Sequence, residues 1–193
     1  DVSKVQIIFA CFNSAISFNK PLTNWNPKAV TGYVQPWNST GKFYNNGQDG
    51  YMNMFSNATA FNQPIGHWDV SKIKNFSDMF SSAAAFNQDL SAWDVSGGLY
   101  FNWMFSITTS YNQPMNTWNV SNAVSFAYMF QNAIAFNQPI NDWNVSKIKT
   151  FEYMFGQART FNRPLDQWDV GVGENFRNMF AGSRDFNQDL SGW

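Results

Sequence analysis

The sequence is poor in the residue types that most often carry chemistry. Its 193 residues include one cysteine, Cys11, and one histidine, His67. A single cysteine cannot form an internal disulfide, and His67 has no repeated Cys or His partner with which to hold a metal. No group of residues meets the geometric requirements of a catalytic site, so we expect a protein that is not an enzyme and has no cofactor.

Charge and long apolar runs are also scarce. Twelve basic and 13 acidic residues nearly cancel, and only 13% of the chain is charged. Nucleic-acid binding depends on neutralising phosphates with basic clusters, so nucleic acid is not an expected partner. No apolar run reaches the ~18 residues that a bilayer span requires, which predicts no membrane insertion.

Aromatic residues, by contrast, are abundant and strictly periodic. Phe, Trp and Tyr make up 19% of the chain, and they recur in columns that step by 25 positions in the sequence. One column is aromatic throughout: Phe61, Phe86, Tyr111, Phe136, Phe161 and Phe186. A second contains only tryptophan: Trp68, Trp93, Trp118, Trp143, Trp168 and Trp193. A constant interval of this size predicts a solenoid in which each repeat forms one coil.

The period extends over the whole chain, which we therefore expect to form one repeat domain, 1–193. Its seven predicted coils are 1–25, 26–68, 69–93, 94–118, 119–143, 144–168 and 169–193. The second coil carries an insertion at about 31–50, rich in Gly and Asn. Loops of this length are usually functional or disordered.

Within one coil the pattern predicts two kinds of segment. Leu165, Trp168 and Val170 have the LxxLxL spacing of a leucine-rich repeat, which indicates a short strand. The apolar positions from Ile148 to Ala158 step by three and four, which indicates a helical or 3₁₀ return. We therefore expect a right-handed, leucine-rich-repeat-like β-solenoid with short parallel strands on one face and helical or 3₁₀ return segments on the other.

An asparagine follows the aromatic residue in every coil. A polar residue this regular predicts an internal ladder, in which the amide pairs with backbone groups of neighbouring coils. We expect these side chains to be buried and hydrogen-bonded. The seven residues are Asn19, Asn62, Asn87, Asn112, Asn137, Asn162 and Asn187.

The repeat "WNVSKIKTFEYMFGQARTFNRPLDQW" resembles that of the BspA-like leucine-rich-repeat surface proteins. The resemblance covers all seven coils and omits only the insertion. Coil one is irregular between Ile7 and Cys11, and an aromatic residue stands where the family usually has its first Met (Phe76, Phe101, Phe126, Phe151 and Phe176). The resemblance implies an extracellular or cell-surface protein that acts in adhesion and matrix contact. It implies no catalytic residues and names no ligand.

Two columns are candidates for binding. Asp69 and Asp94 would lie about 4.8 Å apart on adjacent strands and repel each other; Asn residues elsewhere in the column weaken that repulsion, and a bound Ca²⁺ ion could do the same. The alternative is a solvated, hydrogen-bonded ladder. The residue before Met is aromatic in coils four to six, at Trp103, Tyr128 and Tyr153, and Leu99 and Tyr100 lie close by in coil four. If these rings face solvent, they form an apolar stripe for sugar rings or a partner protein; the alternative is that they fold onto the surface.

Five Asn-X-Ser/Thr sequons occur in the chain. In a secreted protein we expect at least one to carry glycan, with Asn38 in the insertion first because loops are accessible. The other four are Asn57, Asn75, Asn119 and Asn144.

The pattern also predicts how copies assemble. The sequence stops at Trp193 and starts at Asp1, the residue that follows that Trp in the repeat, while Ile7 and Phe9 make coil one unusually apolar. We therefore expect head-to-tail self-association, or neighbouring repeats of a longer array. The predicted function is that of an extracellular or cell-surface structural or adhesive repeat protein. The alternative is a carbohydrate-binding module that uses the aromatic stripe, and glycans or surface proteins are the corresponding partners.

Overall fold

The structure, a computed structural model, describes residues 2–5, 8–26, 28–30 and 52–193. Over these residues the chain winds through successive turns into stacked coils, whose contacts recur every 25 residues, or 43 across the insertion. It forms no helix and no extended strand there. Four isolated parallel bridges connect Asn75, Tyr100, Ser125, Thr150 and Asn175 in that order. No segment of the described ranges is a helix with the length and apolarity of a bilayer span.

Alternate residues hold each coil to the next. In coil six, the N–H groups of the odd-numbered residues 151 to 157 donate to carbonyls of the following coil, with N···O distances of 2.7–2.9 Å. The even-numbered residues 154 to 158 instead donate to the carbonyl three residues earlier, at 2.9–3.0 Å. Half of the donors therefore close turns within a coil, and the other half join coils together.

This alternation explains why the predicted helical or 3₁₀ return is wrong. Tyr153 and Gln157 have φ values of 50° and 61°, whereas a right-handed helix requires φ near −63° at every residue. The left-handed residues turn alternate N–H groups out of the coil and toward the next one. The three- and four-residue steps therefore reflect a series of tight turns.

The predicted strands are also wrong, and with them the leucine-rich-repeat-like β-solenoid. Trp168 N–H donates to the Leu165 carbonyl at 3.2 Å, and Gly173 N–H donates to the Val170 carbonyl at 2.8 Å. Because these backbone groups are used in local turns, the segment cannot pair as a parallel ladder. The isolated bridges lie elsewhere in the coil, at Thr150 and its equivalents.

The core consists of aromatic columns that run along the stack. One contains Phe55, Phe80, Phe105, Phe130, Phe155 and Phe180, with successive ring centroids 5.6–5.8 Å apart. The neighbouring column from Phe61 to Phe186 has spacings of 5.8–6.4 Å. Stacked rings contribute about 0.5–1.5 kcal/mol per pair beyond the area they bury. The repeated aromatic positions are therefore a principal source of stability.

The tryptophans form a third internal column, as their spacing predicts. Trp93 and Trp118 stack at 6.5 Å, and Trp118 and Trp143 at 6.4 Å. The indole N–H of Trp118 donates to the Leu90 carbonyl of the preceding coil at 3.0 Å. From Trp93 to Trp193 each tryptophan therefore fills the core and also donates a hydrogen bond to a backbone carbonyl of the preceding coil, which phenylalanine could not do.

We expect Trp118→Ala to lower the free energy of unfolding by about 3–5 kcal/mol, because it leaves a large cavity and removes one hydrogen bond to the Leu90 carbonyl. Urea unfolding followed by circular dichroism measures the change. Trp118→Phe keeps most of the ring and should cost less. A loss below about 1 kcal/mol for the alanine variant would contradict this role for the column.

Tyr111 is the one tyrosine in a column that is otherwise phenylalanine, and its side chain is fully buried. Its hydroxyl finds no hydrogen-bond partner within the described part of the chain, and burial raises the pKa of the phenol. An unpaired buried hydroxyl is unfavourable.

Tyr111→Phe should therefore raise the free energy of unfolding by about 1–2 kcal/mol. Phe86→Tyr, which introduces the same hydroxyl one coil earlier, is the matched variant and should be destabilising. Thermal and urea unfolding of both proteins give the comparison. A less stable Tyr111→Phe protein would mean that the hydroxyl is satisfied in solution.

Candidate contact face

Three aromatic side chains lie side by side along one edge of the stack. The ring centroids of Trp103 and Tyr128 are 4.9 Å apart, and those of Tyr128 and Tyr153 are 5.0 Å apart. Their planes differ by only 13° and 11°, and all three residues are half-buried. We call these three residues the aromatic ladder.

Left-handed backbone geometry places the ladder at this edge. Trp103, Tyr128 and Tyr153 have φ values of 54°, 61° and 50°, which bulky residues rarely adopt. Each donates its N–H to a carbonyl of the next coil, at 2.7–3.0 Å. The hydrogen bonds between coils thus hold the conformation, at a typical cost of about 1–3 kcal/mol per residue. Asp78 and Asn178 occupy the equivalent positions on either side of the ladder.

The stacking decides which part of each ring is available to a partner. Because Trp103 and Tyr153 lie against its two sides, the faces of Tyr128 are covered, and an incoming molecule meets ring edges. A sugar that binds by stacking needs an open ring face, whereas a protein surface can pack against edges and hydroxyl groups. At Tyr128 the structure therefore presents ring edges and a hydroxyl group, and no open ring face.

A polar network adjoins the ladder. Tyr128 O–H donates to Glu152 Oε1 at 3.1 Å, and Asn175 Nδ2 donates to Glu152 Oε2 at 3.1 Å. Arg177 Nη1 lies 4.0 Å from the same carboxylate. Burial and the hydrogen bond to Glu152 raise the pKa of the Tyr128 phenol, which therefore remains a donor. The network gives the edge a fixed set of polar groups beside its rings.

A shallow groove of about 340 Å³ lies next to this network. Its walls include the mostly exposed ion pair between Lys149 and Glu174, with an N···O distance of 3.0 Å. Asn175 lines the groove and also binds Glu152, so the groove and the ladder form one continuous surface. Tyr100 lies in the groove, and Leu99 is half-buried nearby in the chain. We call the ladder, the network and the groove the contact face.

The charged half of this face was not predicted from the sequence. Lys149 and Glu174 lie 25 residues apart, as do Glu152 and Arg177, so each opposite-charge pair joins adjacent coils. Comparing charges at the repeat interval would have predicted both contacts. The regular columns of the motif gave no sign of them, because these four residues occupy its variable positions.

The column that includes Asp69 and Asp94 has a structural explanation. Asp69 Oδ1 accepts the Ser71 N–H at 3.2 Å, and Asp94 Oδ1 accepts the Ser96 N–H at 3.0 Å. These contacts close a turn, and the hydrogen bonds from Ser71 lower the pKa of Asp69. Among the described residues no group of three or more His, Cys, Asp or Glu side chains converges as a metal site. The weak Ca²⁺ candidates are thus turn residues here.

The asparagine column forms hydrogen bonds between coils but is less buried than predicted. Asn112 Oδ1 accepts the N–H of Asn137, and Asn137 Oδ1 accepts the N–H of Asn162, at 2.9 and 3.1 Å. Asn112 is exposed and Asn137 is only half-buried, so the expectation of burial is wrong. The amide is needed to satisfy a backbone donor at the surface.

The structure separates the predicted sequons. Asn57 is exposed, whereas Asn75 is only 2% exposed and is inaccessible to a glycosylating enzyme in the folded protein. Asn119 and Asn144 are exposed, and the Oδ1 atom of each accepts the N–H of the serine two residues later, at 3.1 Å. Asn38 lies outside the described residues, as do the predicted assembly residues Asp1 and Ile7.

Comparison with known proteins places the chain in a family. The model of a family described as "Mycoplasma protein of unknown function, DUF285" matches residues 1–52, 49–133 and 117–193. These matches span the whole sequence. The chain belongs to this family. The three overlapping matches also show that it is a repeat protein. No curated protein and no solved structure matches the chain.

We expect Asn137→Leu to lower the free energy of unfolding by about 1–3 kcal/mol, because the N–H of Asn162 loses its acceptor. Asn187→Leu is the matched control, since no described residue donates to the Asn187 side chain, and it should change stability little. Urea unfolding compares the two. Equal losses in both variants would show that the amide acts within its own coil.

Asp78 makes the stability of this edge dependent on pH. Burial raises the pKa of Asp78 to about 6, and its hydrogen bond with Ser81 opposes the shift. Because this folded-state pKa lies above the ordinary carboxyl value, the favourable contribution is present at low pH. It is lost as the pH rises through about 6.

Asp78→Asn should therefore be more stable than the parent protein near neutral pH, by on the order of 1–3 kcal/mol, and similar in stability near pH 4. Asparagine already occupies the equivalent positions 53 and 178, both with positive φ. Urea unfolding at the two pH values measures the difference. A gain of the same size at both pH values would exclude titration of Asp78 as the cause.

Proposed function

We propose that this chain is a non-catalytic repeat protein of the cell surface or extracellular space that acts by adhesive or structural contact. The observation that carries the proposal is the contact face, where the aromatic ladder and two opposite-charge pairs are fixed by the stacking of coils four to seven. Half-buried aromatic groups beside polar groups are typical of the surfaces that bind other proteins. The similarity of the repeat to BspA-like surface proteins supports the location.

The geometry favours a protein partner over a glycan. The central ring of the ladder presents an edge, and its phenol is already hydrogen-bonded to Glu152. A carbohydrate-binding module that stacks sugars would lack an open ring face at Tyr128. Binding of sugars would therefore support the alternative function, and the glycan array described below detects it.

Beads coated with the protein provide a direct test on immobilised fibronectin, laminin and fibrinogen. We expect bead retention on at least one of these proteins. Tyr128→Ser should reduce it by about tenfold or more, because central aromatic contacts usually dominate an interface. Asn116→Ser changes an exposed residue that forms no side-chain hydrogen bond among the described residues, and it should leave retention unchanged.

A glycan array probed with the same proteins separates the alternative. Strong array binding that disappears in Trp103→Ala, with no retention on the three proteins, would support the carbohydrate-binding module. Absence of binding in both assays would contradict the proposed contact function. The location is tested independently by protease treatment of intact cells. Loss of the protein without lysis is expected, and protection from protease would contradict a surface position.

A further inference from the structure

The hydroxyl group of Tyr128 lies against a base whose orientation is fixed. Tyr128 O–H donates to Glu152 Oε1 at 3.1 Å, a distance at which a side chain can accept a proton from its hydrogen-bond donor. Asn175 Nδ2 donates to the other carboxylate oxygen, Glu152 Oε2, also at 3.1 Å. The carboxylate is therefore held from two sides, and a proton acceptor for Tyr128 is in place before any reaction begins.

Such an acceptor changes what happens when the phenol loses an electron. A phenol that has lost one electron is a strong acid, so its proton passes readily to a neighbouring carboxylate. Because the proton leaves together with the electron, no charged phenol radical has to form, and the electron is easier to remove. The positive charge of Arg177, whose Nη1 lies 4.0 Å from Glu152 Oε1, opposes proton uptake by the carboxylate. The Arg177 side chain is 73% exposed, so solvent screens much of this opposition.

The aromatic ladder provides a path for the electron. The ring centroid of Tyr128 lies 4.9 Å from that of Trp103 and 5.0 Å from that of Tyr153, and the ring planes are nearly parallel. Stacked rings this close exchange electrons readily, so an electron removed from any of the three can be replaced from Tyr128. The oxidation therefore settles on the ring whose proton has an acceptor. Stacking also covers both faces of Tyr128, which shields the resulting radical from reagents that add to an open ring.

Other tyrosines lack the proton acceptor. Tyr153 belongs to the same ladder, but its hydroxyl forms no hydrogen bond with a described residue. The hydroxyl of Tyr111 also has no partner in the described part of the chain, and the residue is fully buried. Of these three tyrosines, Tyr128 alone combines stacked neighbours with a carboxylate at its hydroxyl.

We propose that Tyr128 is a redox-active residue, which a one-electron oxidant such as a metal(III) complex or a high-valent haem converts to a tyrosyl radical. The oxidant gains one electron from the ladder. The O–H bond of Tyr128 breaks, and its proton forms an O–H bond with Glu152 Oε1. A neutral tyrosyl radical and a neutral Glu152 remain, so charge and atoms balance. The proposal needs only the ladder and Glu152, and it does not rest on the function proposed above.

Three single substitutions test the roles of the two groups. Glu152→Gln keeps the shape of the side chain and can still accept the hydrogen bond, but it cannot take up the proton. Tyr128→Phe removes the phenol, and Tyr153→Phe makes the same change on the neighbouring ring as the matched control. The parent and all variants also carry Phe in place of Tyr33, Tyr44 and Tyr51, which lie outside the described residues.

Tris(bipyridine)ruthenium(III), generated by light at neutral pH with persulfate as the electron acceptor, is the oxidant. Electron paramagnetic resonance of rapidly frozen samples measures the yield of tyrosyl radical, and circular dichroism confirms that each variant is folded. We expect similar yields from the parent and Tyr153→Phe. Glu152→Gln should lower the yield about tenfold or more, because a positioned proton acceptor typically contributes at least that factor. Tyr128→Phe should lower it at least as far.

Three results would overturn the proposal. The first is a parent protein that forms no tyrosyl radical. The second is an undiminished yield in Glu152→Gln, which would show that the carboxylate takes up no proton. The third is an equal yield from Tyr128→Phe and Tyr153→Phe, which would show that the oxidation has no preference for the hydrogen-bonded ring.

Discussion

The hydrogen bond between alternate residues of adjacent coils is the interaction on which the rest of the structure depends. It fixes one coil close to the next, so side chains at equivalent positions lie next to one another, as in the aromatic columns. Residues that attract their own kind at this distance are therefore favoured. Aromatic rings meet the requirement, and stacked columns of Phe and Trp run through the core. Like charges repel at such spacing, which is consistent with a chain that is only 13% charged.

The same constraint shapes the surface. Polar columns use asparagine or aspartate to satisfy backbone donors, either in the next coil, as Asn112 does, or two residues later, as Asp94 does. Where the column is aromatic, the rings stack on one another and present their edges. Two opposite-charge pairs also lie in register, Lys149 with Glu174 and Glu152 with Arg177. The contact face thus has the same backbone geometry as the rest of the stack. It differs in the residues at three variable positions of the repeat, those of Tyr128, Lys149 and Glu152.

Sequence periodicity predicts the columns well and the backbone poorly. The constant repeat interval identifies which side chains meet, including the tryptophan column and the alignment of Trp103 with Tyr128. It does not reveal that Tyr153 and Gln157 have positive φ, because neither residue type favours that conformation. The predicted strands and helical returns are wrong for this reason: hydrogen bonds between coils impose a geometry that local preferences oppose. Asn112 is less buried than predicted because its amide accepts a backbone N–H at the surface. A polar residue can therefore recur in every repeat without being buried.

Amide hydrogen exchange tests the central claim, that alternate N–H groups join the coils. In coils three to six, the N–H groups that donate to the next coil (Asp78, Phe80, Trp103, Phe105, Tyr128, Phe130, Tyr153 and Phe155) should exchange slowly. The equivalent groups Asn178 and Phe180, which have no acceptor among the described residues, should exchange rapidly. That pattern is the predicted result. Rapid exchange at the donors of coils three to six, or exchange at Asn178 and Phe180 as slow as at Tyr153 and Phe155, would contradict the account.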